Sequence, residues 1–159
     1  MRKQEIQNLI KELIEKTGVV PNKISITEES PTNTWFSVEV NEPHFFISRD
    51  AEALYALNHL VRRIIEVKIP QQLNESDSSG SILVDINGFQ KKRVEDVRAV
   101  AHMMSERARY FKSNIEVNPM PAFERRIVHE FLSDASDLKT ESVGFGSTRR
   151  VVIKYIGSI

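Results

Sequence analysis

The chain has 159 residues, of which 40% are hydrophobic and 28% charged, and its 22 basic side chains balance 22 acidic ones. This composition is ordinary for a folded protein of one domain or two small ones and argues against extensive disorder. The absence of cysteine excludes disulfides and thiolate metal sites, and no apolar run is long enough to span a membrane. The N-terminal residues form an amphipathic pattern and not the apolar core of an export signal, so we expect a cytoplasmic protein with no membrane partner.

The charged side chains are unevenly distributed along the chain. Residues 1–90 contain nine basic and thirteen acidic side chains, a net charge of −4, whereas residues 91–159 contain thirteen basic and nine acidic ones, a net charge of +4. The C-terminal half is therefore better suited to attract phosphate groups. An asymmetry of this size also arises readily by chance, so it identifies no function by itself.

The first 88 residues predict the order helix, strand, strand, helix, strand. Apolar residues spaced three and four apart indicate the helices, and apolar residues at every second position indicate strands with one buried face. The first predicted elements are a helix to about Lys16, two strands around 24–26 and 36–40 joined by a turn at 30–33, and an irregular segment at 41–51. A second helix follows and ends at Pro70, with the apolar stripe Leu54, Leu57, Leu60, Val61, Ile64 and Ile65. A polar loop at 71–81 then leads to a strand at 82–86.

The remaining residues predict the order helix, strand, helix, strand, strand. Pro121 suits the first turn of the shorter helix, because a main-chain N–H there has no acceptor within the helix and proline lacks that N–H. Together the two halves predict an α+β protein with mixed or antiparallel sheets. A long helix is predicted from about Gln90 to Phe111, with the buried side chains Val94, Val97, Ala101, Met104, Ala108 and Phe111 and the basic side chains Lys91, Lys92, Arg93, Arg98, Arg107 and Arg109. A second helix is predicted with Phe123, Ile127, Val128, Phe131 and Leu132 directed inward. The predicted strands are 115–117, 138–142 and 151–155.

The second of these helices carries a pair of side chains suited to nucleic acid. Arg125 and His129 are four residues apart, so they lie on the same helix face, directed away from the apolar face. A guanidinium pairs with phosphate or stacks on a base, and an imidazole does either. The spacing alone is common by chance and equally suits an exposed helix face without a function.

The residues around this pair form an ordered set that is more specific. Asn118-Pro119-Met120-Pro121 precedes the pair, and Thr140-Glu141-Ser142-Val143-Gly144 and Arg149-Arg150-Val151-Val152-Ile153 follow it. Over roughly residues 82–155 the chain resembles the R-three-H (Arg-x-x-x-His) nucleic-acid-binding domain. It is most similar to the version at the C-terminus of Jag-type, or SpoIIIJ-associated, proteins.

This resemblance implies a three-stranded sheet with helices on one side and affinity for single-stranded RNA or DNA. Arg125 and His129 would be its signature pair. After Gly144 the family often has acidic residues and a proline, whereas this chain has Phe145-Gly146-Ser147-Thr148. Phe145 would stack on a base if it were exposed, but we expect it to be partly buried. The further positions that the resemblance assigns to the binding surface are Arg126, Thr140, Ser142, Gly144, Arg149 and Arg150.

In Jag-type proteins a type II KH domain precedes the R-three-H domain. The resemblance therefore implies a KH-like αββαβ half over residues 1–88, packed beside or linked to an R-three-H αβαββ half over residues 89–159. A KH domain needs a G-x-x-G loop so that its main-chain amides can approach the nucleotide backbone. Both glycines are replaced here, and Asp50 would repel phosphate. We therefore expect a degenerate KH-like half whose loop binds RNA weakly or not at all. This half would be a scaffold or a protein-contact surface, with another KH-type protein as a candidate partner. The four loop positions are Ser48, Arg49, Asp50 and Ala51.

The sequence contains no nucleophile elbow, phosphate-binding glycine motif or H-E-x-x-H metal motif, so we expect no catalytic residue, metal or cofactor. Two functions stay open. The first is binding of single-stranded nucleic acid, RNA in preference to DNA, through the C-terminal half. The second is a protein-interaction scaffold that has lost this binding, as the zero net charge and the altered loop would allow. We favour the first because the signature arginine and histidine are intact.

Overall fold

The computed structural model describes residues 3–30, 33–68 and 81–157. It confirms the α+β class. Contacts divide the chain into two compact units, Met1–Lys91 and Lys92–Ile159, whereas the sequence placed the boundary at residues 88 and 89. The elements are α1 (Lys3–Lys16), β1 (Pro21–Ser30), β2 (Asn33–Val40), α2 (His44–Lys68), β3 (Ser81–Ile86), α3 (Phe89–Phe111), β4 (Ile115–Glu116), α4 (Ala122–Phe131), β5 (Leu138–Val143) and β6 (Arg150–Tyr155), with a 3-10 turn at Gly146–Thr148.

The N-terminal unit is a three-stranded sheet packed against helices α1 and α2. Its strand order is β1-β2-β3, with β1 antiparallel and β3 parallel to the central strand β2. The apolar side chains of α1 and α2 meet one face of this sheet in a single core that includes Ile10, Phe36, Leu54 and Ile86, all fully buried. The predicted order of elements is therefore present. The predicted turn residues 31–32, Pro70 and nearly all of the predicted loop at 71–81 lie outside the described residues.

Helix α2 begins earlier than the sequence indicated and is interrupted. Its first turn starts at His44, because Phe46 is buried in the core and the carbonyl of Pro43 accepts the N–H of Phe46 at 2.9 Å. The helical geometry then breaks at 48–51, where Arg49 and Asp50 have φ of 51° and 56°. The prediction of an irregular segment at 41–51 was therefore wrong for this first turn, which is too short to show a helical period.

One asparagine closes the exposed edge of β3. Asn58 on α2 is buried, its Nδ2 donates to the carbonyl of Val84 at 3.0 Å, and its Oδ1 accepts the N–H of Val84 at 2.8 Å. Val84 is thus bonded on the side away from β2, where an edge strand would otherwise leave both groups unpaired. The amide side chain therefore takes the place of a fourth strand at this position.

Replacing Asn58 with leucine keeps the branched shape of the side chain but leaves both main-chain groups of Val84 without their partner. We expect Asn58→Leu to lower the free energy of unfolding of the N-terminal unit by about 2–4 kcal/mol. Urea denaturation followed by the fluorescence of Trp35, the only tryptophan of the chain, measures this change. Asn8→Leu on the exposed face of α1 is the matched control and should change it little. An equal effect of the two substitutions would contradict the role of Asn58.

Helix α3 begins at a turn that follows β3 directly. Asn87 and Gly88 have φ of 51° and 77°, which turns the chain, and Oδ1 of the buried Asp85 accepts the N–H of Gln90 at 2.8 Å. Burial raises the pKa of Asp85, which the main-chain hydrogen bond partly offsets. The first turn of α3 is therefore capped from within the N-terminal unit.

The C-terminal unit is a three-stranded sheet with the order β4-β6-β5, in which both pairs are antiparallel. Cross-strand partners share a face of a sheet. Thr140 is paired with Ile153 and Ser142 with Val151, and both of these apolar partners are fully buried. Thr140 and Ser142 therefore lie on the face that α4 covers, with their hydroxyls directed toward that helix.

Three apolar residues that the periodicity placed in the core are exposed instead. Phe111 and Phe131 are the last residues of α3 and α4, so they extend past the surface that the core covers. Leu60 lies six residues after Leu54, which places it about 120° around the helix from that buried residue. Within the three described ranges, no helix is both long and apolar enough to cross a membrane.

Candidate nucleic-acid interface

Helix α4 places Arg125 and His129 one turn apart beside the sheet. Pro121 is the N-terminal cap, with φ of −60°, and its carbonyl accepts the N–H of Arg125 at 3.0 Å. Ile127 and Val128 are buried, whereas Arg125 and His129 are only partly buried. The pair lies at the edge of the helix–sheet contact, as the sequence predicted.

Both ring nitrogens of His129 are bonded to hydroxyl groups of β5. Nδ1 lies 2.6 Å from Oγ1 of Thr140, and Nε2 lies 2.8 Å from Oγ of Ser142. In this arrangement the imidazole has no free N–H for a phosphate, so of the two contacts that the sequence left open for it, direct donation needs one of these bonds to break. A hydroxyl that accepts from the ring N–H keeps its own O–H for an outside acceptor. The neutral ring has one N–H, so it orients both hydroxyls but leaves only one of them with an O–H free for a phosphate.

Arg125 is held by the loop before its own helix. Its Nη1 donates to the carbonyl of Met120 at 2.7 Å, and the N–H of Met120 donates to the carbonyl of Arg149 at 3.2 Å. These two bonds connect the guanidinium to the chain at the start of β6. Only one donor of a guanidinium is used in this way, so the others stay available for an anion.

The pKa of His129 lies below its ordinary value of 6.5, because the ring is partly buried and because the Arg125 guanidinium is close. The folded unit therefore holds the ring neutral at pH values where the unfolded chain would protonate it. The neutral His129 ring therefore contributes to the stability of the folded unit. This contribution is complete above pH 6.5 and is lost as the pH falls toward the lower pKa of the folded state.

An NMR titration of the His129 ring should give a pKa below 6.5. The Arg125→Gln substitution removes the neighbouring positive charge and should raise that pKa. The thermal midpoint of the C-terminal unit should fall when the pH is lowered through 6.5. A wild-type pKa at or above 6.5, or one that Arg125→Gln leaves unchanged, would contradict the described environment.

Two predicted binding residues are occupied by surface ion pairs. Arg126 pairs with Glu130 at 2.9 Å, and Arg150 pairs with Glu116 at 3.1 Å. Arg150 is the cross-strand partner of Val143, the residue next to Ser142. Adjacent residues of a strand face opposite sides of the sheet, so Arg150 lies on the face opposite the hydroxyls of Thr140 and Ser142. Exposed pairs of this kind contribute little to stability and exchange readily for a phosphate. The structure therefore brings Thr140 and Ser142 to His129 but does not bring Arg150 there.

Gly144 shapes the loop that follows β5. Its φ is +91°, and a Cβ atom there would lie 3.3 Å from both the Cα of Arg149 and the carbonyl oxygen of Thr148. Glycine is therefore favoured at this position, because any other residue would be strained and would crowd the returning chain. The next residue, Phe145, is 90% exposed, so the expectation that it is partly buried was wrong. No neighbouring element within the described residues reaches over the short loop to cover it.

The basic residues of α3 divide into two groups. Arg93 donates from Nε to the buried Glu124 at 2.7 Å. Arg109 makes two hydrogen bonds to Asp137, of 2.7 and 3.0 Å, which lower the pKa of that carboxyl group. Arg93 holds α3 to the first turn of α4, and Arg109 holds it to the loop before β5, whereas the sequence had placed both among the basic residues of the helix.

Removing the partner of Glu124 should destabilise the C-terminal unit. We expect Arg93→Leu to lower its free energy of unfolding by about 1–3 kcal/mol, less than for a fully buried pair because Arg93 is half exposed. Hydrogen exchange at the amides of α4 measures the change. The matched control is Arg98→Leu, at an exposed position of the same helix. Equal protection in the two variants would show that the ion pair contributes nothing.

The four residues at the predicted KH loop positions form the break in α2. Ser48 has extended geometry and its hydroxyl donates to the carbonyl of His44, while Arg49 and Asp50 are exposed. Ala51 has φ of 59° and is fully buried. The segment is thus a loop between two helical parts, with its charged side chains outside and its last residue in the core.

Comparison with known proteins identifies the C-terminal half. A family model of the R-three-H domain matches residues 95–155, a segment that contains Arg125, His129, Thr140 and Ser142. The C-terminal unit contains an R-three-H domain. The resemblance seen in the sequence is thereby confirmed for this segment.

One curated relative covers most of the chain. The RNA-binding protein KhpB of Bacillus subtilis (strain 168) is 26% identical over 139 residues, which are 86% of this chain and 64% of KhpB. The chain therefore spans less than two thirds of the length of this relative. The alignment is longer than the R-three-H domain, so the likeness extends into the N-terminal unit.

Proposed function

We propose that this protein binds single-stranded nucleic acid, RNA in preference to DNA, through its R-three-H domain. The observation that carries the proposal is the hydrogen-bonded set of His129, Thr140 and Ser142 beside Arg125, inside the segment that matches the R-three-H family model. The relative KhpB is named an RNA-binding protein, which supports RNA as the ligand.

The site suits a phosphate diester better than a folded partner protein. Arg125 offers the donors that Met120 leaves unused, and whichever hydroxyl of Thr140 and Ser142 accepts the ring N–H of His129 offers its own O–H. The guanidinium of Arg149 is exposed and makes no hydrogen bond or ion pair with the part of the chain that the structure describes. Each phosphate neutralised by such a cation releases counterions, so binding should weaken as the salt concentration rises.

The N-terminal unit acts as a degenerate KH-like domain, and the whole protein is a cytoplasmic binding protein of the Jag type without catalytic activity. The element order and the loop position within α2 support the KH-like assignment. Asp50 is exposed in that loop and would repel phosphate, and neither glycine of the G-x-x-G pattern is present. The unit would then serve as a scaffold or as the contact for a second KH-type protein.

The test is fluorescence anisotropy of the full chain with single-stranded RNA and DNA oligomers of the same sequence, across a series of salt concentrations. Arg125→Gln should weaken binding about tenfold or more, because a hydrogen bond from a charged group is lost. The salt dependence should also become shallower by about one counterion. RNA should bind more tightly than DNA.

Arg49→Gln provides the control for total charge, since it removes the same charge from the KH-like loop. We expect it to leave the affinity unchanged. Equal weakening by both substitutions would move the site toward the N-terminal unit or to a diffuse electrostatic attraction. Absence of binding by the wild-type chain at low salt would overturn the proposal in favour of the scaffold.

A further inference from the structure

Phe145 is the most exposed of the large apolar side chains that the structure describes. It is 90% exposed, and it lies between β5 and β6 immediately after Gly144. Single exposed apolar residues are common on protein surfaces, so exposure alone assigns no function. The position of this ring relative to the candidate site gives it one.

The main chain around Phe145 is fixed, although its ring is in solvent. Its carbonyl accepts both the N–H of Thr148 at 3.2 Å and the hydroxyl of Thr148 at 2.8 Å. The N–H of Arg149 donates to the carbonyl of Gly146 at 3.3 Å. These bonds close a 3-10 turn, so the ring is presented by an ordered loop and a ligand would not have to order the chain first.

The loop is attached to the residues that form the candidate site. Ser142, which bonds His129, lies three residues before Phe145, a distance of roughly 10 Å along an extended chain. On its other side the loop leads to Arg149, whose carbonyl is bonded to Met120, the residue that holds Arg125. An exposed ring, an exposed guanidinium and the hydroxyl of Ser142 therefore lie at the same end of the sheet.

We propose that Phe145 is a base-stacking residue, which carries one base of the strand whose phosphates lie on Arg125 and Arg149. The inference rests on the proposed function and adds a recognition element for the base. Aromatic rings stack on every base because each base has a π face, so this contact would add affinity with little sequence preference. The aromatic ring would also favour unpaired strands, since the bases of a duplex are already stacked.

The experiment compares Phe145→Leu and Phe145→Tyr with the wild-type full chain on single-stranded RNA, single-stranded DNA and an abasic oligomer of equal length. Phe145→Leu should weaken binding to the base-containing strands about 5- to 150-fold. Phe145→Tyr should retain the affinity. The salt dependence should stay unchanged in both variants, because no phosphate contact is removed. The abasic strand should bind wild type and Phe145→Leu equally.

Tyr110→Leu is the matched control, because Tyr110 is an exposed aromatic residue of the same unit, at 81% exposure. It follows Arg109, which is bonded to Asp137 at the opposite end of β5, so its substitution should leave the affinity unchanged.

The outcomes separate the two proposals. If the wild type binds and Phe145→Leu binds equally tightly, the stacking role is overturned and the proposed function stands. A loss that is equally large on the abasic strand, or equally large in Tyr110→Leu, also overturns the stacking role. Absence of wild-type binding to any strand overturns both.

Discussion

The hydrogen bonds between His129 and two hydroxyls of β5 are the contact on which the candidate site depends. They set the distance between α4 and the sheet, since both ring nitrogens must reach Thr140 and Ser142 at once. An imidazole held on both sides in this way cannot rotate, and the helix that carries it is fixed with it. Arg125 is one turn away on the same helix, so its position follows from the same contact.

The C-terminal unit has fewer unpaired positive charges than its composition suggests. Arg93 and Arg109 are committed to acidic partners that hold the unit together, while Arg126 and Arg150 are in exposed ion pairs that contribute little to stability. The positive charges closest to the hydroxyl pair are thus few. A site of this kind attracts phosphate through a small number of oriented donors and not through a broad basic surface, which is consistent with a chain of zero net charge.

The break in α2 holds its residues in a geometry that their side chains do not favour. Arg49, Asp50 and Ala51 occupy the left-handed region, which is unfavourable by roughly 1–2 kcal/mol for each residue other than glycine. Ala51 is fully buried, so contacts of its methyl group in the core offset part of this strain. The loop geometry is therefore maintained by the packing of the helices on either side and not by the local sequence.

The sequence by itself determined the order of helices and strands, the α+β class and the Arg125–His129 pair, because periodicity and motif spacing are local properties of the chain. It did not determine the exposure of Phe111, Phe131 and Phe145, since that depends on where neighbouring elements end. It also could not show which arginines are free, because Arg93 and Glu124 are 31 residues apart and meet only in the folded unit. The lowered pKa of His129 likewise depends on tertiary structure, because it results from burial of the ring and from the nearby guanidinium of Arg125.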